Sequence, residues 1–255
     1  MPKIIENKII EEFKNKEKFS RDELFSFFIH YEPNLKESTF GWRIYDLKKK
    51  NIIKTIGRGM YVISYKPKYK PIISESLLKI ARKTEERLDE INYCIWDTEW
   101  LNEFTQHQIS NPLIIVEIER DFIDSLYYYL NDHLHMDFFL NPDDKDIQFY
   151  ITESNAPVVI KRLITRAPTV KQKDKKMSYP IATLEKIMVD LFADDKLFHS
   201  YQGSEMGRIY ENIINNYNIN FTRLFSYAKR RKKEQEIKHF MDTMIPNLLN
   251  DIIDD

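Results

Sequence analysis

Cysteine is almost absent from this sequence, and a single thiol, Cys94, excludes an internal disulfide and any C-x-x-C zinc pair. A reducing compartment is expected. Glycine is nearly as scarce, 5 residues in 255, which argues against glycine-rich phosphate loops and a turn-dense β-sandwich. Helices with some strands are the expected alternative. The apolar run LIIV at 113–116 is far short of the ~20 residues that span a bilayer. The N-terminal stretch MPKIIENKIIEEFKNKEK breaks its apolar residues with charges, so it lacks the apolar core of a secretory signal. The expectation is a soluble, cytoplasmic protein.

Hydrophobic residues make up 42% of the chain and aromatics 13%, enough for a folded core in one large domain or two. The net charge of -1 conceals an imbalance. Through Lys70 there are 16 Lys+Arg against 9 Asp+Glu, about +7, which leaves 23 against 31, about -8, in the remainder. Opposed halves suggest that one part meets a polyanion and the other does not. The charge is most concentrated in KKKNIIKTIGRGMYVISYKPKYK, residues 48–70, with eight basic residues and no acid.

The periodicity of Ile5, Ile9, Ile10 and Phe13 predicts a first amphipathic helix. Ser20 with Glu23 forms a capping-box signature for a second helix that ends before Pro33. Asn34 with Glu37 repeats the signal, so LKESTFGWRIYDLKKKN is predicted as a third helix with Phe40, Ile44 and Leu47 on its buried side. Trp42 falls almost opposite that trio, yet core-like packing beneath the wing, on a second domain or in a dimer is expected for it. IIKTI and MYVIS around Gly57-Arg58-Gly59 then predict a hairpin whose glycines supply the turn angles.

Three helices followed by a hairpin is the order of a winged helix-turn-helix, expected over residues 1–70. The segment YKPKYKP reads as an extended connector. Residues 72–255 alternate strand-like and helix-like segments, which predicts an α/β domain with a parallel or mixed sheet and a helical C-terminal part. KQKDKK, at 171–176, reads as a solvated loop. In the C-terminal part Leu184, Ile187, Met188 and Leu191 share a helical face, and two more helices are predicted around GRIYENIINNY and FTRLFSYAKRRKKEQ.

Helix three has the width of a major groove, and duplex DNA presents dense phosphate charge. The candidate DNA contacts are Lys36, Ser38, Thr39, Arg43, Lys48, Lys49, Lys50, Lys54 and Arg58. Of these, Ser38, Thr39, Arg43 and Lys50 are placed at bases or phosphates, and Lys48, Lys49 and Lys54 on the backbone. Arg58 at the wing tip reaches the neighbouring minor groove or a flanking phosphate. A solvated surface and a protein-docking wing are the two alternatives.

With KESTFGWRIYDLKKKNIIKTIGRGMYVIS and, much later, YPIATLEKIMVDLFADDKLF in place, the chain resembles the AbiEi-type antitoxins of type IV toxin–antitoxin systems. The likeness is sharpest at DLKKKNIIKTIGRGMYV and again at TLEKIMVDLF. It implies a repressor that binds inverted repeats in the promoter of its own abortive-infection operon. It further implies a second domain that counteracts a nucleotidyltransferase-like toxin, with or without direct contact, and a possible homodimer on DNA. It implies no enzymatic activity, no cofactor and no metal.

Enzymatic alternatives are thin in the residues themselves. The only Gly-Ser, Gly203-Ser204, has no aspartate after it until Asp242, which excludes a nucleotidyltransferase metal site. Asp97, Glu117 and Glu119 lie at predicted strand ends and form the candidate set for a metal-dependent nuclease, although Glu119 occupies the place where such sites carry a lysine. His133 and His135, near Asp132 and Asp137, lack a second ligand cluster and read as solvated histidines. Of Tyr127, Tyr128 and Tyr129, at least one is expected in the core. The run KRRKK at 229–233 reads as the solvated, cationic end of a helix, or as a second phosphate contact.

Overall fold

The computed structural model describes residues 3–87, 91–106, 111–174 and 177–244. The chain divides into two compact units, Met1–Pro67 and Lys68–Asp255. The architecture is mixed α/β, a winged helix-turn-helix followed by an α/β unit with a mixed sheet. Among the described residues no helix is long and apolar enough to cross a membrane.

The first unit runs α1 (Lys3–Phe13), β1 (Phe19–Ser20), α2 (Arg21–Tyr31), α3 (Glu37–Lys49), β2 (Ile53–Gly57) and β3 (Met60–Ile63). Ser20 caps α2 as its spacing predicts: its hydroxyl accepts from the Glu23 amide at 3.1 Å, and the Glu23 carboxylate accepts from the Ser20 amide at 2.8 Å. Lys16 also bonds that carboxylate, and together these partners pull its pKa down to about 2. The start of α3 differs from the expectation. Lys36, not Asn34, is its N-cap, and no side chain caps it. Glu37 is drawn off instead by the Arg21 guanidinium, through bonds of 2.7 and 3.2 Å. Asn51, in the left-handed region at φ 52°, ends the helix and turns the chain into β2.

Phe40, Ile44 and Leu47 of α3 are buried against Ile9 and Phe13 of α1 and Leu24 and Phe28 of α2, as the helical spacing requires. The sheet has three strands in the order β1-β3-β2, because Phe19 and Ser20 pair with Tyr61 and Met60. Of the two glycines flanking Arg58, only Gly59 needs its freedom, at φ 70°. A bulge between Thr55 and Gly57 leaves Ile56 unpaired on the wing.

The second unit contains a six-stranded sheet in the order β6-β7-β5-β4-β9-β8. Its strands are β4 (Tyr93–Asp97), β5 (Ile114–Ile118), β6 (Asp137–Leu140), β7 (Pro157–Arg162), β8 (Thr169–Asp174) and β9 (Met177–Ala182). β4 is antiparallel to β5 and β8 to β9, while β5, β6 and β7 run parallel and β4 runs parallel to β9. Helices α4 (Glu75–Arg87) and α5 (Ile123–His133) pack together, and α4 meets β4 while α5 meets β6 and β7. A short helix, α6 (Asp144–Asp146), continues into a π turn over Ile147–Ile151. The C-terminal part is helical: α7 (Leu184–Ala193), α8 (Ser204–Asn216), α9 (Phe221–Arg230) and α10 (Glu234–Met244).

Several local expectations are corrected. Lys171–Asp174 of the expected solvated loop belongs to the edge strand β8, paired residue by residue with β9; residues 175–176 lie outside the described residues, as do 88–90 near the end of SESLLKIARKTEERLDEI, a segment whose sequence reads as helical. Four of the six residues of β8 are exposed, both lysines among them, so its lysines satisfy an edge strand as well as a loop. The predicted helix running through KRRKKEQ is two helices, split where Lys232 adopts φ 58°. None of the three adjacent tyrosines of α5 is fully buried; Tyr127 and Tyr129 are half-buried, and the core positions are Ile123, Leu126 and Leu130.

α7 is buried on all sides, and its charged residues form the electrostatic centre of the unit. Lys186, 0% exposed, donates to Glu117 of β5 and to Asp190 one turn along. The Tyr227 hydroxyl donates to Asp190 at 2.8 Å, and Asp194 accepts from Lys161 and Arg231, each at 2.6 Å. Three cations thus balance three anions. Burial opposes the charge on Lys186, but Asp190 and Glu117 outweigh it and hold the ammonium well above the ordinary lysine range. Replacing Lys186 with Met removes the near cation of two buried carboxylates, leaving Glu117 only Lys161 and Asp190 only Arg231, each at 3.7 Å, and is expected to cost about 3–5 kcal/mol in a urea melt.

Asp97 caps the 3-10 helix Thr98–Glu103, accepting from the Glu99 amide at 2.9 Å and from the Ser74 hydroxyl at 3.1 Å. Burial pushes its pKa up to about 6, against the lowering by those two bonds. A raised carboxyl pKa makes the protonated form the better fit, so its contribution to stability is present at low pH and is lost as pH rises through about 6. Asp97→Asn should therefore gain on the wild type by up to about 2 kcal/mol as denaturation is repeated from about pH 4 to 7.

Candidate nucleic-acid interface

The surface that α3 presents follows from how the helix is seated. With Phe40, Ile44 and Leu47 inward, a 100° step puts Ser38, Trp42, Tyr45 and Lys49 along the outward ridge. Trp42 is 72% and Tyr45 58% exposed, and their rings meet edge-on at 5.9 Å. The expected packing of Trp42 beneath the wing is therefore not found within the first unit, where a residue opposite the apolar stripe has nothing to pack beneath.

The nine predicted contact residues separate into two groups. Lys36, Ser38, Thr39, Lys48, Lys49, Lys54 and Arg58 are exposed. Lys48 lies over the Tyr61 ring, 5.4 Å from its centre, on the side of α3 nearest the wing. Arg43 and Lys50 are engaged within the fold. The Arg43 guanidinium is half-buried and bonds Glu32 at 3.1 and 3.3 Å, bracing the end of α2 to α3. Lys50 bonds Glu6 and Asp46, both at 2.7 Å, and these acids raise its pKa. Both occupy one flank of α3 and not its outward ridge.

Arg21 positions the wing. Its amide donates to the Gly59 carbonyl at 2.8 Å, while its guanidinium lies over Phe40 at 4.8 Å and forks onto Glu37. One residue thereby connects the beginnings of α2 and α3 to the turn that carries Arg58. That connection sets the wing turn beside the start of α3, and Lys48 over Tyr61 sets the end of α3 beside β3.

The nuclease candidates are not brought together. Glu117 pairs with Cys94 and Asp97 pairs with Ile114, three positions apart on antiparallel strands, so the two carboxylates project from opposite sheet faces. Glu117 belongs to the Lys186 network, and Glu119 accepts from the Asn92 amide. Among the described residues no cluster of three or more His, Cys, Asp or Glu is placed to hold a metal. His133 bonds the Tyr129 carbonyl at 2.7 Å and packs on its ring, and His135 is exposed. In KRRKK, Arg231 turns inward to Asp194 and Lys233 pairs with Glu236, while Lys229, Arg230 and Lys232 face solvent. Cys94 is buried, which pushes its thiol pKa up.

A family model matches residues 39–247, from the first turn of α3 through the wing and the whole described α/β unit. The chain belongs to DUF6577, a family of unknown function. No curated protein matches it. The DUF6577 match thus takes in most of α3, with Trp42 and Tyr45, the wing with Arg58, and the residues of the Lys186 network.

Two features of this DUF6577 chain differ from or go beyond what its sequence predicts. Trp42 and Tyr45 form an exposed pair three residues apart, and their signal was the position of Trp42 opposite the buried trio. Lys186 and Asp190 lie four apart in an otherwise apolar helix, a spacing that brings opposite charges together on one face.

Lys49 and Arg58 are exposed and touch no acid among the described residues, so Lys49→Ala and Arg58→Ala should each change stability by less than about 0.5 kcal/mol. Each should also weaken binding to duplex DNA by several-fold, irrespective of its sequence, in a mobility-shift titration.

Proposed function

We propose that the chain is a cytoplasmic DNA-binding antitoxin that represses its own type IV toxin–antitoxin operon through its winged helix. The observation that carries the reading is the set of exposed cations on α3, its cap and the wing, Lys36, Lys48, Lys49, Lys54 and Arg58, on elements that Arg21 and Lys48 join within one unit. Duplex DNA is the polyanion whose groove width and phosphate spacing suit a helix flanked by a basic hairpin. Ser38 and Lys49 lie on the ridge that enters the groove, and Arg58 reaches past it at the wing tip.

The antitoxin part of the reading is supported by the resemblance at DLKKKNIIKTIGRGMYV and TLEKIMVDLF. These segments make up the end of α3 with the wing, and α7 with the buried charge network. A promoter of inverted repeats would be met by two copies on adjacent half-sites. The α/β unit is directed at a nucleotidyltransferase-like toxin, and no catalytic step is assigned to it.

If about five cations neutralise phosphates, affinity for duplex DNA should fall roughly 100- to 1,000-fold between about 50 and 200 mM salt. A flat salt dependence in a fluorescence-anisotropy titration contradicts the DNA reading. Supplying the chain in trans should silence a reporter driven by its own upstream region, and co-expression should restore growth to cells carrying the adjacent toxin gene. An unrepressed reporter removes autorepression, and unrelieved toxicity removes the antitoxin role.

A further inference from the structure

Three observations on the outward ridge of α3 remain unexplained by phosphate contacts. Trp42 and Tyr45 expose large apolar rings to water on a helix whose buried side is already complete. The edge-on packing at 5.9 Å gives each ring a preferred orientation without burying either. Beside them lies Gly41, exposed in the helix interior, where an added Cβ would meet no atom within 4 Å. Glycine there weakens the helix relative to alanine, and no neighbour in the fold requires it. A smooth gap next to two exposed rings is what the close approach of an external body requires.

The charge of the surroundings says which body. The ridge residues Ser38, Trp42, Tyr45 and Lys49 include no acid, the acid one turn from Trp42, Asp46, is paired with Lys50, and Lys48, Lys49, Lys54 and Arg58 are exposed on the same helix and the wing. A protein partner seated on Trp42 would have to bring its own acids to the same place; duplex DNA brings phosphates to both sides of a groove as a matter of course. In a closed duplex the base faces are covered by their neighbours, so a ring entering the major groove meets only base edges. The one apolar group on those edges is the C5 methyl of thymine.

We propose that Trp42 and Tyr45 form an apolar reading edge that packs against thymine methyl groups in the major groove. This rests on the DNA-binding reading above and adds to it a base preference that cations cannot supply. Ser38, on the same ridge, is placed to bond a neighbouring base edge, and Lys49 is placed on the backbone at the far end.

The test uses the full chain and a duplex selected from a pool with a randomised centre. Of the three tryptophans, Trp96 and Trp100 are buried, so quenching by acrylamide reports on Trp42. Adding the duplex should shield Trp42, and replacing the contacted thymine with deoxyuridine, which deletes only the methyl, should weaken binding about fourfold. Trp42→Ala should bind the duplex more weakly and lose most of its distinction between thymine and deoxyuridine, while its salt dependence stays intact.

Salt-dependent binding with Trp42 still fully quenched, or with no effect of deoxyuridine on the wild type, overturns the thymine edge and leaves DNA binding standing. Failure to bind any duplex at low salt overturns both. Shielding of Trp42 that grows with protein concentration in the absence of DNA identifies the ridge as a contact between two copies, and overturns the proposal as well.

Discussion

The geometry of the N-terminal unit depends on Arg21. Its backbone N–H holds the Gly59 carbonyl, and its side chain spans Phe40 to reach Glu37, so α2, α3 and the wing turn share one residue. Ser20, the preceding residue, both caps α2 and pairs with Met60 in the sheet. A surface ion pair such as Arg21 with Glu37 contributes little to stability by itself. Its consequence here is geometric: it pairs the carboxylate at the start of α3, while Lys36, Lys48 and Lys49 stay exposed on that helix and its cap.

The α/β unit is organised around a different constraint. A helix buried on every side cannot carry Lys186 and Asp190 unless partners come to meet them, and β5, β7, α9 and the residue that follows α9 supply Glu117, Lys161, Tyr227 and Arg231. Breaking such a network is costly, whereas an apolar replacement of the whole set need not be. The network therefore specifies how α7 and α9 sit on the sheet more than it adds to stability. It also absorbs Glu117, one of the three acids considered for metal chemistry, into a charge-balanced core.

Legibility in the sequence followed the physics of each signal. Capping at Ser20 and the Phe40, Ile44 and Leu47 stripe were readable because both are local and obey the helical period. The start of α3 was not, because Glu37 had two possible partners, and the one sixteen residues back in sequence, Arg21, is brought close only by the fold. Arg43 and Lys50 look like groove cations in a linear reading, yet Glu32, Glu6 and Asp46 meet them in three dimensions. Lysine-rich β8 looked like a loop because an edge strand tolerates the same residues. Asp97 and Glu117 looked like a pair because strand position is legible, whereas the sheet face to which each side chain points depends on register.

The central claim is that α3 and the wing together form the DNA-facing surface. Hydrogen–deuterium exchange of the full chain, with and without a bound duplex, tests it most directly. The account predicts slowed exchange across residues 37–63, strongest around the turn at Arg58 and Gly59, with the sheet of the α/β unit unchanged. Protection confined to the α/β unit, with the wing exchanging as freely as before, would contradict it.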